Sequence, residues 1–181
     1  MSGVGVSLKT EMRSKSWPAS AEDRRGEADL KSVFLHPGEI YASLEPANIT
    51  ILLGSCVAVC LFNERLSVGG ATHYLLPTPG SEGLASPRYG DVAIRRLLEE
   101  LHQLGSRNQD LRASVFGGAS MLQAFRSGSS GLIGNKNVEL ALEALARESI
   151  SIERRDTGGV ESRKITMRTD TGAISLKLIG N

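Results

Sequence analysis

Residues 50–77 read TILLGSCVAVCLFNERLSVGGATHYLLP. TILL (50–53) is apolar and stops at Gly54. VAVCLF (57–62) is apolar without interruption, NER (63–65) is polar, and VGGATHYLLP (68–77) is a second run closed by Pro77. Apolar runs of this length on either side of a short polar loop predict neighbouring antiparallel strands. Gly69 and Gly70 weaken the start of the second strand and suggest a bulge there. Cys56 stands at the mouth of the first strand, and His73 stands in the strand beside it.

Upstream, SVFLHPGEIYAS (32–43) holds a Pro-Gly turn between two short apolar runs. Downstream, TPGSEGLASP (78–87) is a loop of Gly, Pro and Ser. Ile94, Leu97, Leu98, Leu101 and Leu104 then recur at helical spacing, which predicts an amphipathic helix from about Tyr89 to Leu104, with Gly105 as its stop. ASVFGGA (113–119) reads as a strand ending in a Gly-Gly turn. A second helix is expected over Asn137–Glu148, with Asn135 as its N-cap and Val138, Ala141, Leu142, Leu145 and Ala146 on its apolar face. ISIERR, DTGG (156–159), KITMRT, DTG and AISLKLI alternate strand and turn, and the last of these runs suit a meander at a sheet edge. Many strands with two helices predict one mixed α/β domain built in layers over residues 32–181. Residues 1–31 are polar, mixed in charge and nearly without periodicity. They are expected to form a mobile tail with a short strand near Val4–Leu8.

The chain has 181 residues, enough to bury a sizeable core without covalent staples. Its formal charge is only +1, so no strong field is available to hold nucleic acid or an anionic membrane. Two cysteines in a chain of this length are not a disulfide framework, and both are expected as reduced thiols. No apolar run suits a signal peptide and no segment reaches transmembrane length, so the expected compartment is the cytoplasm, without membrane insertion. The near-neutral composition fits a monomer.

A cysteine nucleophile needs a base, a group to orient that base, and donors for a developing oxyanion. Cys56 is the candidate nucleophile, and backbone N–H groups of the sharp turn at Gly54 could serve as donors. His73 is the best base, because adjacent antiparallel strands can bring it beside Cys56. His36, before a Pro-Gly turn, and His102, among polar neighbours on a helix, read as surface residues. The orienting group is Thr50 or Thr72. Thr72 adjoins His73 and in a regular strand points to the opposite face, so Thr50 is preferred. Cys60 reads as a small buried hydrophobe. A zinc pair with Cys56 is disfavoured, since four residues of strand span about 13 Å, too far for two ligands of one ion.

These residues fall within an ordered set of motifs. TILLGSCVAVC (50–60), GGATHYLLP (69–77), FGGASML (116–122), IGNKNV (133–138) and DTGG (156–159), with LHPGEI (35–40) before them, resemble the CheD family of chemoreceptor glutamine deamidases. The resemblance runs from about residue 33 to the end. It implies a layered α/β sandwich with mixed, largely antiparallel sheets, like that of toxins that deamidate glutamine. It also implies a catalytic set of Cys56, His73 and Thr50 that needs neither metal nor organic cofactor. The implied protein substrate is a chemoreceptor's cytoplasmic helical bundle. Some members of the family also bind a CheC-type CheY-phosphate phosphatase and raise its activity, so a binding role is the alternative. FGGA, IGNKN and DTGG are expected to shape turns around the mouth of the site, with Ser120 and Asn135 as weaker candidates for contact with substrate backbone.

Overall fold

The computed structural model describes residues 14–16, 30–79, 84–120 and 130–179. The strand expected near Val4–Leu8 lies outside them. Among the described residues ten strands and two α-helices follow in order: β1 (Ser14–Ser16), β2 (Lys31–Phe34), β3 (Glu39–Ser43), β4 (Ala47–Leu53), β5 (Val57–Asn63), β6 (Val68–Tyr74), α1 (Gly90–Gln103), β7 (Leu111–Gly117), α2 (Ser130–Arg147), β8 (Ser151–Thr157), β9 (Ser162–Arg168) and β10 (Ile174–Ile179). The strands form two five-stranded sheets, an outer one in the order β1-β10-β9-β4-β2 and a central one in the order β3-β6-β5-β7-β8. Both are mixed and largely antiparallel, with β2–β4 and β7–β8 as the parallel pairs. This is a layered α/β fold. Among the described residues no helix is long and apolar enough to cross a membrane.

Each strand's pattern follows from the layer it occupies. The central sheet is covered on both faces, so its strands can be apolar throughout. Every residue of β6 and all but Phe62 of β5 are buried. On one side Val57, Val59, Leu61 and Tyr74 pack against Ile94, Leu97, Leu101, Ala141 and Leu145 of the helices. On the other, Ala58, Cys60, Ala71 and Phe116 meet Ile49, Ile51, Leu53, Ile165 and Met167 of the outer sheet. The outer sheet has one wet face, and β4 alternates accordingly, with Ile49, Ile51 and Leu53 buried and Thr50 and Leu52 not.

The expected β5–β6 pairing is present, with Val57 opposite Tyr74 and Asn63 opposite Val68. The ladder runs without a register shift, so Gly69 and Gly70 do not mark a bulge. They are small because the layers close on them. A Cβ on Gly70 would lie 2.6 Å from the Tyr41 carbonyl oxygen and 2.9 Å from Leu97 Cδ1. The first helix spans Gly90–Gln103 and stops at Gly105, whose φ is +90°.

Other expectations need correction. α2 begins at Ser130 rather than Asn137, so Asn135 lies inside the helix and caps nothing. Its buried positions include Val138, Ala141, Ala144 and Leu145, whereas Ala146 is exposed. The Pro37-Gly38 turn is present as expected, and it leads from β2 of the outer sheet to β3 of the central one. β9 and β10 do form a hairpin, yet β9 is the middle strand of its sheet, and β8 pairs with β7 in the other. Within the segment expected as a tail, Ser14–Ser16 pairs with β10.

Candidate active site

Cys56 ends a three-residue bend between β4 of the outer sheet and β5 of the central one. The bend is tied down through its carbonyl groups. Ala119 N–H donates to the Gly54 oxygen at 2.8 Å and Gly118 N–H to the Cys56 oxygen at 2.8 Å. Asn137 Nδ2 donates to the Ser55 oxygen at 3.2 Å. A planar trans peptide points its N–H opposite its C=O. Anchoring the carbonyls of Gly54 and Ser55 on the turn after β7 and on α2 therefore turns the N–H groups of Ser55 and Cys56 away from those segments. This supplies the kind of backbone donor an oxyanion needs.

The Gly-Gly turn makes that anchoring geometrically accessible. Gly117 and Gly118 have φ of +107° and +67°. A Cβ on Gly117 would collide with the Cys56 carbonyl oxygen, and one on Gly118 would lie 2.5 Å from Val138 Cγ2. Gly134, inside α2, faces Gly118 across a gap too narrow for a side chain. FGGA thus forms a turn as expected, whereas the glycine of IGNKN serves helix-to-turn contact. DTGG closes the same end of the sheet, with Gly158 N–H donating to the Gly117 oxygen at 2.9 Å. Buried Arg163 holds that turn, donating to Asp156 at 2.8 Å and to the carbonyls of Gly158 and Glu161. Ser120 N–H donates to the Gly159 oxygen, and Asn135 is exposed on α2.

His73 is buried on β6, opposite Ala58. One more step along the ladder sets Cys56 opposite Leu75, which makes Cys56 and His73 diagonal neighbours. By the alternation of β5 and β6 both belong to the face that meets the outer sheet. Nδ1 of His73 lies 3.0 Å from the Leu35 carbonyl oxygen. A carbonyl can only accept, so Nδ1 carries the proton and Nε2 holds the lone pair. Nε2 is buried without a hydrogen-bond partner among the described residues, Cys56 Sγ included. Such bonds commonly close only when substrate is bound.

The group that orients the imidazole is therefore the Leu35 carbonyl. Alternation along β4 turns the Thr50 side chain to the outer face of its sheet, where its hydroxyl lies 3.3 Å from that of Thr166. Thr50 is linked to His73 through the backbone, since its carbonyl accepts from Leu35 N–H at 3.0 Å. No sequence signal marked Leu35, because a backbone acceptor has no residue type. Thr72 is buried in the helix-facing half of β6, as its parity with His73 required.

Burial pushes the Cys56 thiol above its ordinary value, offset in part by its own backbone N–H. Burial likewise lowers the His73 imidazole. The Leu35 bond opposes this shift, nearby His36 adds to it, and Glu39 opposes it. Both causes favour the uncharged forms, so the resting pair is thiol and neutral imidazole. Cys60, fully enclosed between the sheets, is pushed up to about 12 and is inert. His36 and His102 are exposed, as expected.

A family described as "CheD chemotactic sensory transduction" matches residues 75–178, more than half of the chain. The chain belongs to the CheD family. It is 38% identical over 151 residues to a protein of Sulfurimonas denitrificans named "Probable chemoreceptor glutamine deamidase CheD", covering 83% of this chain and 96% of that one. A Trichlorobacter lovleyi protein of the same name is 44% identical over 147 residues, 81% of this chain and 90% of the relative. "Probable chemoreceptor glutamine deamidase CheD 1" of Anaeromyxobacter dehalogenans is 42% identical over 156 residues, 86% and 89% of the two chains. In this CheD chain the surroundings of Cys56 are thus assembled from five elements: the ends of β4, β6 and β7, the first half of α2, and the turn after β8.

Proposed function

We propose that this CheD chain is a protein-glutamine deamidase acting on chemoreceptors, with Cys56 as nucleophile, His73 as base and Thr50 as the third member of the set. Residues 32–181 form the catalytic unit and 1–31 its tail. It works as a cytoplasmic monomer on the receptor's helical bundle. The observation that carries the reading is the buried, unpartnered Nε2 of a histidine whose tautomer is fixed from behind by a carbonyl. A buried lone pair left bare costs stability, which is expected of a group kept for chemistry.

His73 Nε2 takes the thiol proton as Sγ attacks the side-chain amide carbon of a glutamine. The oxyanion is met by the outward N–H groups of the Cys56 bend. The intermediate collapses, the C–N bond breaks, and ammonia leaves with the proton held by His73. Water, giving its proton to the same nitrogen, then cleaves the thioester to release glutamate and restore the thiol. Thr50 acts through its carbonyl, which holds Leu35 in place behind the imidazole. A thiol, a base and backbone donors suffice for these steps.

The test is mass spectrometry of a receptor cytoplasmic domain incubated with the protein and with Cys56→Ala. Each modified glutamine should gain about 1 Da as ammonia is released, with no change in the variant. A receptor unaltered by the folded wild-type protein would overturn the proposal.

A further inference from the structure

Asn137 was not singled out by its sequence context, yet its side chain bonds both the Cys56 bend and the segment that follows His73. It is fully buried on α2. Its two amide hydrogens go to two different segments: Nδ2 donates to the Ser55 carbonyl at 3.2 Å and to the Leu75 carbonyl at 2.8 Å. Ser55 precedes Cys56, and Leu75 lies two residues past His73. The backbone oxygen of Asn137 is itself held, accepting from Tyr74 Oη at 2.6 Å. One amide group therefore bridges the bend that carries the thiol and the strand that carries the imidazole, and its own helix is pinned to that strand.

We propose that Asn137 is a positioning residue for the reaction, its side-chain amide setting the Cys56 bend against the His73 strand. The proposal rests on the reading of Cys56 and His73 given above. Two features favour this role over a purely structural one. Of the three anchored carbonyls of the bend, those of Gly54 and Cys56 are held by backbone N–H groups and only that of Ser55 by a side chain. The Ser55 carbonyl shares its peptide plane with the Cys56 N–H, so Asn137 aims the donor closest to the sulfur. The second feature is Asn137 Oδ1, buried without a partner among the described residues. An orphaned acceptor weakens the fold, so stability alone does not account for an asparagine here.

The test compares Asn137→Ala and Asn137→Asp with the wild-type protein and Cys56→Ala in the receptor assay, at temperatures where thermal unfolding shows each to be folded. Asn137→Ala is expected to lose about 100-fold in kcat with KM within about twofold, as for a displaced nucleophile. Asn137→Asp faces two carbonyls; its carboxyl can donate to one of them, and only when protonated, while the ionised form repels both. Its kcat as a fraction of wild type should rise as pH falls from 8 to 6, a trend that lost packing does not produce. A kcat near wild type in Asn137→Ala, a loss confined to KM, or a flat ratio in Asn137→Asp would overturn the proposal. So would failure of both variants to fold, which would make Asn137 a determinant of the fold itself. An inactive wild-type protein would instead overturn the deamidase reading.

Discussion

Gly117→Ala probes how tightly the end of β7 is fitted to the Cys56 bend. Gly117 has a φ of +107°, where an L side chain is strained by about 1–3 kcal/mol. The new Cβ would also overlap the Cys56 carbonyl oxygen, so the bend or the strand end must shift. That shift stretches the 2.8 Å bond from Gly118 N–H to the same oxygen, adding about 1 kcal/mol. The sum, about 2–4 kcal/mol, corresponds to a fall in Tm of roughly 5–15 °C for a chain of this size. Gly158→Ala is the control, since its φ is +75° but nothing lies within 4 Å of the added Cβ. It should cost about 1–2 kcal/mol and leave deamidation intact. Differential scanning calorimetry reads the first quantity and receptor mass spectrometry the second, where Gly117→Ala should lose about 100-fold. Equal Tm values for the two variants, with wild-type turnover in both, would refute the inferred fit between Gly117 and the Cys56 bend.

The two cysteines should separate cleanly. Iodoacetamide at neutral pH is expected to label Cys56 and spare Cys60, and Cys60→Ala should keep deamidation while Cys56→Ala loses it; peptide mapping and the receptor assay read the two outcomes. Because burial lowers His73, the acid limb of the rate profile should fall below pH 6.5, and half-maximal activity above that value would contradict the neutral resting pair. The same shift bears on stability. Above pH 6.5 the histidine is neutral in both folded and unfolded chains, and below it the unfolded chain takes up the proton first. Denaturation midpoints should therefore drop from pH 6.5 downwards, less steeply in His73→Gln. Gly70→Ala, which would press on Tyr41, Ala42 and Leu97, should destabilise by about 1–3 kcal/mol in urea titrations.

What could be read from the sequence depended on range. The β5–β6 pair, the limits of α1 and the burial of Cys60 are local, carried by a short loop, a helical period and a continuous apolar run. Assignment of strands to sheets is not local. TILL and VAVCLF adjoin in sequence but face each other across the sandwich, and nothing in either run announces the crossing. That is why Thr50 was expected to present its hydroxyl to His73, when the parity of a sheet with one wet face turns it outward. α2 extends N-terminal to Asn135 because a glycine inside it, Gly134, is matched to the Gly118 backbone packed against it, a contact remote in sequence. Nothing local marks Asn137, because its partners are carbonyls on segments far from it in the chain.

Leu35 belongs to the outer sheet's side of the molecule and His73 to the central sheet, so the bond that fixes the imidazole tautomer spans the sandwich. Its consequence concerns the nascent chain. A folding intermediate in which the central sheet has formed but the outer one has not docked would already hold Cys56 and His73 on adjoining strands. Its imidazole would still lack a fixed tautomer, because the ring would be free to turn and to carry its proton on either nitrogen. A fixed imidazole tautomer thus requires both layers together, whichever forms first.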